Sequence, residues 1–409
     1  MWEAGIKIKE RKMTKTPKEE LSRRIQALQS RMESANIDGA LILQNTDLFY
    51  FTGTIQQAYL FIPPAGPPLF FVRKNINRVR NESELDFIIP AGGLRQLPGL
   101  LADHGYPQIK RLGMELDVLP ANLYFRYRDT MKPAEIVDVW PSIQDVRAVK
   151  SAYEISLMKE VATLSDFMVN TGRRNLREGM TDVELSSIVE GAARARGHQG
   201  FVRTRSFNQE VYWGHLISGP DAADPAFVDG TTGGYGLSNA FPHGSGWRSI
   251  GQHEPVIFDL LAAKYGYYID QTRTFCIGPL PDKLDRAYNA ALDIHHRIEE
   301  MICPGVSVAQ LFSKADQIAQ SHDLGKHFMG HGNEQLPYCG HAIGLELDEF
   351  PAIAKQGKTI LSPGMVLALE PKFHFPNEGV VGVEDTFVVM DKGSQKLTGA
   401  SYIVDVTQG

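Results

Sequence analysis

The apolar positions along the chain follow two different rhythms. In EELSRRIQALQSRMESAN, residues 19 to 36, Leu21, Ile25, Leu28, Met32 and Ala35 recur at steps of three and four, which predicts an amphipathic helix. Short apolar runs then alternate with helical patterns: DGALIL (Asp38 to Leu43), YLFIPP, PLFFVR, FIIPA, RLGMELDVL and EIVDVW, as far as about residue 141. Alternation of this kind predicts an α/β domain with helices covering a sheet. From Ser151 the texture changes to one long helical pattern, with Ile155, Met158, Val161, Ala162 and Ser165 on a face. A domain boundary is expected near Arg147 to Ser151, dividing residues 19–148 from residues 149–409.

The second part repeats itself. A helix over about 151–172, a second over about 181–197 and a strand pair holding Asp259 and Asp270 are followed by helices over about 283–301 and 307–322 and a last hairpin holding Glu370 and Glu384. Thr181-Asp-Val-Glu184 fits a capping box, in which a hydroxyl and a carboxylate satisfy free N–H groups at a helix start. Two helices and a hairpin, twice over, predict an α+β domain made of duplicated halves.

Those hairpins carry the chemistry. DLLAAKYGYYID places an aspartate at each end of an apolar stretch. An even loop centred on Lys264-Tyr265 would set Asp259 opposite Asp270; an odd loop or a bulge near Gly266 would shift the register by one residue. In MVLALEPKFHFPNEGVVGVEDTFVV, Glu370 and Glu384 lie equidistant from Asn377, so an odd loop there sets them face to face. Like charges packed together destabilise a sheet unless a cation sits among them. Four carboxylates would be balanced by two divalent cations. His341, in YCGHAIGLELDEFP, offers an imidazole flanked by glycines. Oxygen ligands with one neutral imidazole and no thiolate suit Mn²⁺, Fe²⁺, Co²⁺ or Zn²⁺.

Composition narrows the partners. The chain has 409 residues, enough for two domains, with 43% hydrophobic and 22% charged residues. A formal net charge of -6 argues against a nucleic-acid backbone as partner. The basic run Lys7 to Lys18 reads as a solvated arm, with no apolar segment behind it to make a secretory signal. No apolar run is long enough to span a membrane. Cys276, Cys303 and Cys339 lack metal-binding spacing and read as reduced structural thiols of a cytoplasmic protein.

FDLLAAKYGYYIDQTRTF, GHAIGLELDEFP, LALEPKF and VGVEDT resemble the motifs of the pita-bread metallopeptidases, the family of methionine aminopeptidase, aminopeptidase P, prolidase and creatinase. Upstream, GALILQNTDLFYFTG and DVRAVKSAYEISLMKEVA resemble the creatinase-type N-terminal domain and its junction. The resemblance implies a creatinase-type α/β domain followed by a pita-bread domain with pseudo-twofold halves. It implies two divalent ions on Asp259, Asp270, His341, Glu370 and Glu384, and hydrolysis before proline in Xaa-Pro peptides. Water activated between the ions would give its proton to Glu370, which passes it to the leaving nitrogen. His243, in NAFPHGSG, matches the family's histidine that holds the substrate or the tetrahedral intermediate. Thr272 shares a strand face with Asp270 and reads as a hydrogen-bond donor behind the ligands. His215 is either a core histidine or pocket wall, Cys339 reads as packing, and Arg203 and Arg205 read as surface or salt-bridged groups. Two-domain relatives pair, so a homodimer is expected.

The match departs in three places. Where most of these peptidases carry a second histidine, seven residues after the first, this chain has Asp348, which accepts hydrogen bonds but cannot donate when ionised. Ala352 follows Pro351 where a dipeptidase often has arginine, and Gly382 stands where arginine often precedes the last glutamate motif. These departures motivate a second reading, a hydrolase or lyase of a small amino-acid-like metabolite; a third, a non-catalytic binding module, predicts lost ligands, and none of the five is lost.

Overall fold

A computed structural model describes residues 15–408. The chain divides into two compact units, residues 1–146 and 147–409. Most of the basic run Lys7 to Lys18 lies outside the described residues; within them, Lys15 and Lys18 pair with Glu84 and Asp86.

In the first unit, α1 (Lys18–Ser34) buries Leu21, Ile25, Leu28 and Met32, the positions its periodicity marks. Six strands follow: β1 (Gly39–Ile42), β2 (Ala58–Ile62), β3 (Leu69–Val72), β4 (Ile88–Pro90), β5 (Arg111–Met114) and β6 (Glu135–Asp138). They form one mixed sheet in the order β4-β3-β2-β1-β5-β6. Between them run α2 (Asn45–Thr52), α3 (Ile76–Glu82), α4 (Leu97–Asp103) and α5 (Ala121–Thr130), and α6 (Trp140–Ala148) follows β6. Leu41, Phe61, Phe71, Leu112 and Met114 are central to the core.

The second unit opens with α7 (Ala152–Asn175) and α8 (Asp182–Ala195), capped by the Ser151/Glu154 and Thr181/Glu184 boxes. β7 (Gly214–Ser218), β8 (Val256–Lys264) and β9 (Tyr267–Phe275) make an antiparallel sheet. The pattern then recurs. α9 (Asp282–Met301) and α10 (Val308–Ser321) precede β10 (Tyr338–Ala342), β11 (Glu349–Ala354), β12 (Val366–Leu369), β13 (Lys372–Phe375), β14 (Gly379–Gly382), β15 (Asp385–Val389) and β16 (Ser394–Lys396).

The first hairpin differs from its expected register. Tyr265 and Gly266 form its two-residue loop, both with left-handed backbone (φ 56° and 86°). That combination makes the turn whose twist matches the flanking strands, and glycine meets the second position without strain. Asp259 therefore faces Thr272, and Asp270 faces Leu261. The shift is by two residues, so parity survives: both aspartates still lie on one face, diagonally rather than directly opposed.

In the last hairpin the expected pairing runs through both segments. Leu369 pairs with Asp385, and Lys372 with Gly382. Between them the ladder opens at Glu370-Pro371 and Val383-Glu384. There the backbone turns to other partners: Glu370 N–H donates to Cys339 O (3.1 Å) and Glu384 N–H to Thr272 O (3.0 Å). The Thr272–Glu384 pairing, with Asp270 N–H donating to Thr386 Oγ1 (3.3 Å), joins the two halves.

A candidate metal centre shared with a buried lysine

The elements bring five expected side chains into one cavity: Asp259 from β8, Asp270 from β9, His341 from β10, and Glu370 and Glu384 from the open part of the last hairpin. His243, His215 and Asp348 line the same cavity, with Thr231, Thr232 and Tyr338. Thr272 stands behind it, fully buried, donating to Glu384 Oε2 (2.7 Å). Cys339 is buried in the core, and Arg205 reaches Glu346 at 3.7 Å.

His341 orders one side of the cluster. Its Nδ1 lies 3.1 Å from Ala342 O, so Nε2 carries the lone pair when Nδ1–H donates there. Nε2 points at carboxylate oxygens of Asp270 (3.8 Å), Glu384 (3.8 Å) and Glu370 (3.9 Å). Asp270, His341 and Glu384 each offer a ligand atom within 4.8 Å of the others. Asp270 Oδ1 and Glu384 Oε1 are buried and accept no hydrogen bond. Orphaned anionic acceptors beside a lone pair are costly unless a cation fills the space between them, so this side fits a divalent ion.

The other side is already occupied. Lys372, buried to 1% exposure, sends Nζ to Thr231 Oγ1 (2.7 Å), Asp259 Oδ2 (2.9 Å), Glu370 Oε2 (3.0 Å) and Glu384 Oε2 (3.5 Å). Thr232 Oγ1 also donates to Asp259 Oδ2 (2.9 Å), and Thr231 Oγ1 to Glu370 Oε2 (2.9 Å). Asp259 Oδ2, Glu370 Oε2 and Glu384 Oε2 thus each have a donor on this side.

The electrostatics follow from burial with one ammonium among four acids. Burial, then Glu384 and Asp259, push the Asp270 carboxyl well above the usual range. Burial raises Glu384 to about 8, with Glu370 and Asp259 adding to it and Lys372 opposing. Asp259 is buried too, but the adjacent Lys372 ammonium overrides that penalty and holds its carboxyl below the ordinary range. Burial keeps both imidazoles on the far wall neutral, pulling His215 down to about 3 and lowering His243. Their rings meet edge to face, with centroids 4.9 Å apart. His215 Nε2 contacts Thr232 Oγ1, which makes it pocket wall. Asp348 Oδ1 lies 3.5 Å from His341 Nδ1, and its side chain is 39% exposed.

Lys372 went unassigned at the sequence level, although its signal was present. It is two residues beyond Glu370, and alternate strand residues share a face. Thr231 and Thr232 carried no such signal, since they sit in irregular chain between β7 and β8.

Residues 156–391 match Metallopeptidase family M24, and residues 24–149 match the Creatinase/Prolidase N-terminal domain. The chain belongs to metallopeptidase family M24. This M24 chain is 27% identical over 373 residues to an Xaa-Pro dipeptidase of Pyrococcus horikoshii, covering 90% of this chain and 94% of the relative. Its fold superposes on that of an Xaa-Pro dipeptidase from Bacillus anthracis with a TM-score of 0.80 at 24% identity, covering 94% and 99% of the two chains. An X-Pro aminopeptidase from Thermotoga maritima gives 0.77 at 19% identity, covering 93% and 99%. The M24 architecture is thus a creatinase-type N-terminal domain followed by a pita-bread domain, as the motifs implied. Among the described residues no helix is long and apolar enough to cross a membrane.

Proposed function

We propose that this chain is a divalent-metal-dependent exopeptidase that hydrolyses the bond before proline in Xaa-Pro peptides. The observation that carries the reading is the buried Asp270, His341 and Glu384 cluster with two unpartnered carboxylate oxygens, in a member of M24. The names of the relatives, Xaa-Pro dipeptidase and X-Pro aminopeptidase, support the substrate class. Asp270, His341 and Glu384 would hold a divalent ion, manganese among those that suit oxygen ligands, and when bound it would supply Lewis-acid polarisation of the carbonyl and a more acidic water.

The remaining work belongs to the chain. Glu370 lines the cavity with one oxygen held by Thr231 and Lys372, so its other oxygen is free to take the water proton and deliver it to the leaving nitrogen. His243, buried and neutral, lines the same cavity with an unpartnered Nδ1 and is placed to hold the substrate. Thr232 holds Asp259 in place. The second reading, hydrolysis or lysis of a small amino-acid-like metabolite, is favoured by one observation: Asp348 offers a half-exposed carboxylate in the cavity wall, suited to a cationic substrate group. We further propose a cytoplasmic homodimer.

The test is a panel of Xaa-Pro dipeptides and longer Xaa-Pro peptides, incubated with protein loaded with Mn²⁺, Co²⁺, Fe²⁺ or Zn²⁺. Cleavage before proline, abolished by a chelator, is the expected result. No cleavage with any metal, alongside turnover of a cationic metabolite, would replace this reading with the second.

A further inference from the structure

We propose that the Lys372 ammonium permanently takes the place of one of two cations, so that the loaded protein holds a single divalent ion on the Asp270, His341 and Glu384 side. The inference rests on the metal-dependent reading above and sets its ion count at one, against the two that the family resemblance implies.

Three observations carry it. The first is the asymmetry of the acceptors. On the Lys372 side, Asp259 Oδ2, Glu370 Oε2 and Glu384 Oε2 all accept from Nζ within 3.5 Å, and each also accepts from a threonine hydroxyl. On the opposite side, Asp270 Oδ1 and Glu384 Oε1 accept from nothing. A cavity built for two ions would leave acceptors orphaned on both sides.

The second is the space made for the lysine. Gly382 pairs with Lys372 across the β13–β14 ladder. A Cβ at Gly382 would stand 2.6 Å from Lys372 Cγ and 2.6 Å from Pro371 O, closer than such atoms approach. The missing side chain at 382 is therefore what lets the Lys372 stem lie along the strand and reach the acids. The third is that the lysine is anchored. Its Nζ also contacts Thr231 Oγ1 at 2.7 Å, and the side chain is almost wholly buried. Withdrawing it would leave Asp259 and Glu370 buried with only hydroxyl donors, a large penalty for two carboxylates.

The chemical consequence is a division of labour. The ammonium offsets charge and orients Asp259 and Glu370 by hydrogen bonds, but it has no open coordination position for a water or a carbonyl. Only the Asp270, His341 and Glu384 side can accept an exchangeable ligand.

The test counts ions. Full-length protein saturated with Mn²⁺ and freed of excess is analysed for metal per chain and by electron paramagnetic resonance. One ion per chain, with the hyperfine pattern of an isolated Mn²⁺, is expected. Lys372→Gly should raise the content to two ions per chain and give an exchange-coupled pair. Two coupled ions in the unaltered protein would overturn the inference while leaving the peptidase reading intact. One ion in a protein that cuts no Xaa-Pro peptide would sink the peptidase reading and leave the inference standing. No bound ion would remove both. Because the unaltered protein supplies the deciding count, a Lys372→Gly chain that fails to fold does not spare the proposal.

Discussion

The two oxygens of Glu384 live in different surroundings. Oε2 accepts from Thr272 and lies 3.5 Å from Lys372 Nζ, while Oε1 is buried without a donor. Thr272 thus decides which oxygen faces the ion. Thr272→Val keeps the shape and deletes that donor. Metal affinity should fall roughly 10–100-fold, and stability by about 1–3 kcal/mol, read by metal titration and denaturant melts. Gly382→Ala should act from the other strand, displacing the Lys372 stem and lowering the thermal midpoint of the metal-free protein; an unchanged midpoint would mean the stem has room after all. At this scale the sequence was informative where residues are held by strand parity. Asp259, Asp270, Glu370 and Glu384 were legible because period-two spacing puts them on shared faces. Lys372 obeys the same parity, but in LALEPKF its charge reads as an ordinary surface residue until the fold buries it. Thr231 and Thr232 reach the acids through irregular chain, where no periodicity constrains direction.

Elements transmit these constraints through register. The β8–β9 turn falls at Tyr265-Gly266 because both positions take left-handed backbone there, and sequence patterning alone fixed the face without fixing the pairing partner. The opening of the last hairpin at Pro371 was equally hidden, since it depends on Glu370 and Glu384 finding backbone partners in β10 and β9. β11 begins at Glu349, which joins it to the start of this unit by ion pairs with Arg147 and with Lys150 (3.0 Å). Burial alone would raise the Glu349 carboxyl, but the two cations override it and bring it down to about 2. A folded-state value below the unfolded one stabilises above the unfolded value, near 4.5, and the gain is lost as pH falls toward 2. About 2 kcal/mol of this contribution should be gone by pH 3. Glu349→Gln should flatten the acid limb of the stability curve by that amount, in urea melts between pH 7 and pH 3. It should also destabilise the neutral-pH protein by roughly 3–5 kcal/mol, since buried Lys150 loses its ion-pair partner while Arg147 keeps Glu346.

For the molecule as a whole, the duplicated helix-helix-hairpin order was legible because each half carries two helical patterns and a hairpin with acids. The fusion of the halves along Thr272 and Glu384 was not, because it joins residues more than a hundred positions apart. The proposed homodimer belongs to this scale. Sedimentation should show a species of twice 45.4 kDa, and a lone 45.4 kDa species would refute it.

The buried lysine has a consequence for the stripped protein. Chelation or scarcity can empty a centre that depends wholly on dissolved ions, leaving its acids to repel one another. Here part of the counter-charge is tied to the backbone by carbon–carbon bonds and encoded by a codon, so no chelator can extract it. A cell short of manganese or iron would still make a folded chain with part of its pocket charge offset, waiting for one ion rather than two.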